Sequence, residues 1–380
     1  MNNFIFQNPT KILFGKGMID NLSQQISKDK RIMVTFGGGS VKKNGVYDQV
    51  IKALNGFDYI EFWGIEPNPT IETLRKAIAI GKEKNINFLL AVGGGSVIDG
   101  TKLIAAGLLY EGDAWDIVLK GYEPNTVPLG AVLTLPATGS EMNSGAVISN
   151  IATNEKYAFD SNNPTFSILD PETTFTLPDY QIACGIADTF VHTMEQYMTS
   201  TGQSTLMDRW AESILSSLIE IAPKVKRDKT DYDQMANFMM LATMALNGFI
   251  SIGVSQDWAT HMIGHELTAM HGITHGETLA IVLPGTLRAL KEQKKAKLVQ
   301  YGERVWGITE GTDDERADRA IEKTEAFFRS LGLATRLSEK NIGDDTILEV
   351  QRRFNTRMVA FGENENVTGD VAAQILRAAL

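Results

Sequence analysis

All five histidines of this 380-residue chain fall between positions 192 and 275, and imidazole is the side chain best suited to bind a transition metal or move a proton near neutral pH. Their spacing is regular. Asp188 and His192 stand four apart in ADTFVHTMEQY, His261 and His265 four apart in ATHMIGHEL, and His271 and His275 four apart in MHGITHGET. Residues at i and i+4 share a helical face, so each pair can present two donors to one ion. A carboxylate with two or three neutral imidazoles suits Fe2+ or Zn2+ and leaves a coordination position for substrate. An isolated histidine is more often a core or surface residue, but one spacing repeated three times calls for a common cause. Spacing does not choose among the four later histidines. Asp188 with all five would overfill a tetrahedral site.

A second group of residues points to phosphate. GGGSV occurs at positions 37–41 and again at 93–97, each time between a β-prone run and a helical pattern. Glycines let the backbone approach a phosphate closely, and the helix N-terminus that follows offers free N–H groups and a partial positive charge. Tight β-α turns without a ligand also use glycine, and neither copy is the G-x-G-x-x-G fingerprint. The residues alone therefore imply a phosphate-bearing cofactor and no more.

The elements that must carry these groups alternate in the first half. Residues 31–36 (RIMVTF), 58–63 (DYIEFW) and 87–92 (NFLLAV) are β-prone, the last apolar enough for a strand covered on both faces. Helical spacing follows over 41–54, from Thr70 as cap to about Lys84, and after the second glycine turn. This order predicts an α/β domain with a doubly wound parallel sheet over residues 1–178. From Leu177 the texture is helical, over 180–198, 205–222, 233–250, 256–270, 294–306, 314–331 and 344–360. An all-α domain over 179–380, facing the cofactor domain across a cleft, is the expectation. Met235, Met239, Met240 and Met244 read as core filler, and KEQKKAK at 291–297 as a solvated helix face.

Composition excludes several classes. With 43% hydrophobic and 22% charged residues the chain is globular. A net charge of -10 makes nucleic acid a poor partner. The single cysteine, Cys184, cannot form an intrachain disulfide and reads as a small buried hydrophobe. No apolar run is long enough to span a membrane, and residues 1–15 lack the pattern of a secretory signal. A cytoplasmic enzyme is expected.

Long segments of the chain resemble the iron-containing alcohol dehydrogenase family, in particular its branch of NADPH-dependent aldehyde reductases and butanol dehydrogenases. They include FQNPTKILFG, FGGGSVKKNGVYD, IEPNPT, AVGGGSVIDGTK, LPATGSEMNSGAVI, ADTFVHTMEQY, QDWATHMIGHELTAMHGITHGETLAIVLP and, less diagnostic, GERVWGITEG. The resemblance implies a Rossmann-like, dehydroquinate synthase-like first domain and a homodimer. It implies Asp188, His192, His261 and His275 as ligands of one Fe2+ or Zn2+, His265 as a proton-handling neighbour, and His271 as outside the ligand set. It further implies Gly93, Gly94, Gly95, Ser96 and Asp99 at the cofactor pyrophosphate, Thr138, Gly139, Ser140 and Asn143 past the ribose and nicotinamide, and Lys156 as a cofactor contact. Gly37, Gly38, Gly39 and Ser40 match the adenosine end. NAD-preferring relatives tend to carry an acidic residue at the position of Gly39. Glycine there, with Lys42 and Lys43 nearby, implies NADP(H). The activity so implied is interconversion of aldehydes and primary alcohols, acting mainly in reduction. A polyol or glycerol-type dehydrogenase of the same fold is the alternative within the fold. A metal-dependent hydrolase leaves the two GGGSV turns without a purpose, and a non-catalytic nucleotide sensor would bind cofactor without turnover.

Overall fold

A computed structural model describes residues 1–199 and 203–380 of the chain. Its strands are β1 (Lys11–Phe14), β2 (Arg31–Phe36), β3 (Asp58–Phe62), β4 (Phe88–Gly94), β5 (Leu129–Leu135), β6 (Gly145–Asn150), β7 (Glu155–Asp160) and β8 (Phe166–Leu169). Six of them form one sheet in the order β1-β8-β5-β4-β2-β3, with every pairing parallel. Alternation along β4 divides its residues between two cores. Leu89 and Ala91 pack on one face with Leu74, Ile78 and Leu103, while Phe88, Leu90 and Val92 pack on the other with Val46 and Val50. Helices thus cover both faces, as the apolar run of β4 requires.

The helices of this region are α1 (Ser40–Lys43), α2 (Val46–Ala53), α3 (Ile71–Glu83), α4 (Gly95–Gly107) and α5 (Ala114–Lys120). The single helix expected over 41–54 is two, because Gly45 takes a left-handed φ of 77° between them. Thr70 caps α3 as expected, its side chain accepting from the Thr73 N–H. The antiparallel hairpin β6–β7 was not expected. Buried and half-buried residues alternate along β6, and the hairpin joins the EPNPT loop through Ser149 N–H to Pro69 O at 2.9 Å.

The later helices are α6 (Asp179–Tyr197), α7 (Thr205–Arg227), α8 (Tyr232–Ala245), α9 (Ala259–His271), α10 (His275–Ala289), α11 (Lys291–Trp306), α12 (Asp313–Leu331), α13 (Asp344–Arg357) and α14 (Gly369–Arg377). The expectation lacked α10 and α14. Pro284 lies inside α10, and proline argues against a helix interior.

Contacts divide the chain into two units, one of residues 7–178 with 227–247, the other of 1–6 with 179–226 and 248–380. The expected boundary after residue 178 therefore needs a correction for α8, which belongs with the sheet. Met239 packs in the sheet core, and Thr243 Oγ1 donates to Glu141 at 2.5 Å. In the helical unit, Ala259, Ile263 and Leu267 of α9 share a core with Ile281 and Val282 of α10 and with residues of α13 and α14. α6 and α10 approach so closely that a Cβ on Gly276 would stand 2.2 Å from the Cys184 carbonyl oxygen.

The lysine-rich stretch of α11 also differs from expectation. Lys294 and Lys297 are buried, Lys294 donating to Asp257 Oδ2 and Met198 O, and Lys297 to Asp208 Oδ1. Lys291 and Lys295 do lie at the surface, paired with Asp318 and Asp314. Among the described residues no helix is long and apolar enough to cross a membrane.

Candidate metal and cofactor sites

Two helices carry most of the ionisable cluster in the helical unit. On α6, Asp188, His192 and Glu195 follow at i, i+4 and i+7 and so share one face. On α9, His261 and His265 lie one turn apart. The third expected pair does not form a helical face. His271 is the last residue of α9 and His275 the first of α10, with Gly272 at φ 67° turning the chain between them. His275 is thereby delivered to the cluster. His271 is exposed, its Nε2 2.9 Å from Thr346 Oγ1.

Three imidazoles converge on one carboxylate oxygen. Asp188 Oδ1 lies 3.5 Å from His192 Nε2, 3.8 Å from His261 Nε2 and 3.7 Å from His275 Nε2. Bonds of about 2.1 Å to a tetrahedral metal would set its ligands roughly 3.4 Å apart, so the spacing matches a shared ion. Donor atoms of Asp188, His261 and His275 all fall within 4.8 Å of one another, and His192 stacks on His261 with ring centroids 4.6 Å apart. His261 Nε2 is buried and has no hydrogen-bond partner among the described residues. One carboxylate and three imidazoles suit Fe2+ and Zn2+ equally.

Charge explains the state of His261. Burial opposes protonation, but the carboxylates of Glu195 and Asp188 outweigh it and lift the ring to about 9. Burial in turn pushes the Glu195 carboxyl above its usual range, with His261 opposing. Glu195 contacts His261 Nδ1 and accepts from Thr260 N–H at 2.6 Å. His265 is buried, its ring centroid 5.2 Å from that of His275 and 6.3 Å from that of His261. Burial pushes the Cys184 thiol up to about 12, which keeps it neutral.

Sequence reasoning missed Glu195, although its seven-residue offset from Asp188 was a usable signal. Trp258 has a left-handed φ of 63°, a conformation that costs a bulky residue about 1–3 kcal/mol. Its ring stands edge-on to His261 at 5.2 Å and to His192 at 6.2 Å.

In the sheet unit, register brings the two GGGSV turns side by side. Phe36 pairs with Val92, so Gly37 and Gly93 leave adjacent strand ends. This is also where strand order reverses, β3 lying outside β2 and β5 outside β4. Ligands of open α/β sheets bind at such switch points. The glycines have different reasons to be there. A Cβ on Gly93 would meet Val97 at 2.5 Å and one on Gly95 would meet Thr138 at 2.3 Å, whereas Gly38 and Gly39 face open space. Gly39 has φ 97°, Ser40 opens α1, and Lys42 Nζ sits 4.2 Å over the Trp63 ring.

The remaining expected cofactor residues gather at the same edge. Lys102, fully buried on α4 and not foreseen, donates to Ser140 Oγ at 2.8 Å, Asn143 Oδ1 at 3.1 Å and Gly145 O at 2.7 Å. Ser140 Oγ donates to Asp99 Oδ1 at 2.6 Å. Thr138 Oγ1 accepts from Ser140 N–H. Lys156 Nζ reaches Asn68 Oδ1 at 2.8 Å, and Asn68 N–H donates to Ser96 Oγ at 3.3 Å. Burial lowers Lys102 to about 8 against the pull of Asp99 and Glu141, and burial raises Asp99 against Lys102. Open glycine positions beside the 13-residue helix α4 make a cradle that fits a dinucleotide.

Comparison with known proteins gives the same pair of sites a context. The profile of the iron-containing alcohol dehydrogenases matches residues 9–171, and that of the C-terminal region of the Fe-containing alcohol dehydrogenase family matches residues 182–380. The chain is 53% identical to the NADPH-dependent aldehyde reductase YqhD of Escherichia coli K12, covering all of both chains. It is 43% identical to the NADH-dependent butanol dehydrogenase A of Clostridium acetobutylicum, over 91% of each. A crystal structure of the E. coli K-12 protein YqhD superposes with a TM-score of 0.98 at 52% identity, covering 100% of this chain and 99% of that one.

Proposed function

The chain belongs to the iron-containing alcohol dehydrogenase family, and we propose that it is a metal-dependent oxidoreductase that reduces aldehydes to primary alcohols with NADPH. The observation that carries this reading is the convergence of His192, His261 and His275 within 3.5–3.8 Å of one Asp188 oxygen. Bound Fe2+ or Zn2+ would supply Lewis acidity toward a carbonyl oxygen, and NADPH would supply hydride. Asp188, His192, His261 and His275 would hold the ion, and the Asp188 carboxylate would lower its net charge. His265 holds a proton for the alcohol oxygen beside His275. Gly37 to Ser40 and Gly93 to Ser96, with Asp99, Thr138, Ser140, Asn143 and Lys156, bind and orient the dinucleotide.

Relatives named for NADH and for NADPH both resemble this chain, so the choice rests on its own residues. Gly39 presents no carboxylate to repel a 2′-phosphate, and Lys42 and Lys43 stand close in sequence. The protein is further expected to be a homodimer, which light scattering after size exclusion tests. A panel of aldehydes and diols assayed with NADPH and NADH in parallel, before and after metal stripping, tests the function. Faster NADPH oxidation with short aliphatic aldehydes, lost on stripping and restored by Fe2+ or Zn2+, is the expected outcome. Turnover confined to polyols would favour a glycerol-type dehydrogenase, and metal-independent turnover would refute the proposal.

A further inference from the structure

We propose that Glu195 is a positioning residue that selects which nitrogen of His261 faces the metal and holds the two ligand-bearing helices α6 and α9 together. The proposal rests on the metal-site reading above. The N-cap residue of α9, Trp258, makes no side-chain capping bond. First-turn N–H groups left unpaired in an interior are costly. Here one carboxylate oxygen on α6 takes two of them, and Asp257, just ahead of α9, takes a third. Glu195 Oε1 accepts from Thr260 N–H at 2.6 Å and from His261 N–H at 3.4 Å, and Asp257 Oδ1 takes the Ala259 N–H at 3.0 Å.

The second oxygen of the same carboxylate, Oε2, contacts His261 Nδ1. An ionised carboxylate only accepts hydrogen bonds, so Nδ1 must carry the hydrogen. Ligation requires a neutral ring, and with Nδ1 carrying the hydrogen the lone pair of His261 is on Nε2, the atom that lies 3.8 Å from Asp188 Oδ1. Glu195 is buried with both oxygens engaged, and it shares a face of α6 with Asp188 and His192. One side chain therefore sets the ring tautomer and the relation of His261 to the two donors on α6. Partners of this kind change metal affinity by about 10–100-fold in other sites.

A purely structural cap makes a different prediction from a tautomer-setting contact. In Glu195→Gln the amide oxygen can still accept from Thr260 N–H, but the amide NH2 then faces Nδ1. Nδ1 must become an acceptor, and the hydrogen moves to Nε2, where it blocks ligation. The experiment compares wild type, Glu195→Gln, Glu195→Asp and Asp188→Ala, with Zn2+ affinity measured by competition against a fluorescent chelator. Proton NMR of each Zn2+-loaded protein reports the imidazole N–H resonances. The expected result is a loss of about 10–100-fold in Zn2+ affinity for Glu195→Gln, disappearance of one downfield imidazole N–H resonance, and partial recovery in Glu195→Asp. The metal-free Glu195→Gln protein should stay folded but melt below wild type, because Glu195 is the buried charge partner of His261. Wild-type affinity and an unchanged resonance in Glu195→Gln, with Asp188→Ala unable to bind, would overturn the role of Glu195. Wild-type binding by both variants would instead overturn the metal site itself.

Discussion

Replacing Gly276 by alanine should empty the metal site before it unfolds the protein. Gly276 follows His275 in the first turn of α10, and the position of an added Cβ is 2.2 Å from the Cys184 carbonyl oxygen, 2.8 Å from its carbon and 2.9 Å from its Cα. All three atoms are backbone, so no side chain can swing aside. Reaching even a 3.0 Å contact requires α10 and α6 to part by about 0.8 Å. Overpacking of this kind costs about 1–3 kcal/mol, which for a unit of this size lowers Tm by roughly 2–4 °C per kcal/mol. Metal–ligand distances tolerate only about 0.2 Å. His275 rides on α10 and Asp188 on α6, so the displacement exceeds that tolerance several-fold. We expect at least a tenfold loss of Zn2+ affinity, about 1.4 kcal/mol, with a folded, modestly destabilised protein. Thermal melts with and without Zn2+, together with metal analysis after dialysis, measure both effects. Stoichiometric metal at wild-type affinity in Gly276→Ala would refute the link between helix spacing and ligand geometry.

Further outcomes follow from the same geometry. Asp188→Ala removes the atom common to all three histidine contacts and should abolish both bound metal and aldehyde reduction; activity without metal would sink the scheme. Gly39→Asp should weaken NADPH far more than NADH, and the ratio of the two KM values cancels the strain of an aspartate at φ 97°; equal losses would count against the assignment of that turn. Lys102→Met removes one hydrogen bond each from Ser140, Asn143 and Gly145 and weakens the positive charge acting on buried Asp99; it should raise KM for NADPH more than it lowers kcat. Lys102 also sets a pH dependence. Its folded value of about 8 lies below the ordinary 10.5, so between these values the unfolded chain holds a proton that the folded chain has released. Stability from this group therefore rises with pH across the window, and Lys102→Met should lack that rise in urea melts from pH 8 to 10.

Much of the fold was legible because its strongest signals are local. Apolar runs ending in glycine marked β2 and β4, Thr70 marked the start of α3, and 3.6-residue spacing marked most of the helical unit. The misses have physical causes. β1 and β8 are four-residue strands, too short to show alternation, and Pro284 disguised α10. Two lysines of α11 looked solvated in sequence, but ion pairs with Asp257 and Asp208 make their burial tolerable. α8 joined the sheet unit because Met239 and Thr243 found partners far away in sequence.

By itself the sequence determined the chemical inventory: five histidines, Asp188, and two glycine turns at strand ends, enough for a metal and a phosphate-bearing cofactor. Tertiary structure decided which of them meet. His271 and His275 share the four-residue spacing of the other pairs, yet Gly272 ends one helix between them, sending His275 to Asp188 and leaving His271 at the surface. The partners of Glu195 and Lys102 lie 65 and 38 or more positions distant. Spacing along a chain fixes which side chains share a face of one element. The pairing of donors from different helices depends on backbone approach and on satisfying buried polar groups, and those are properties of the packed molecule.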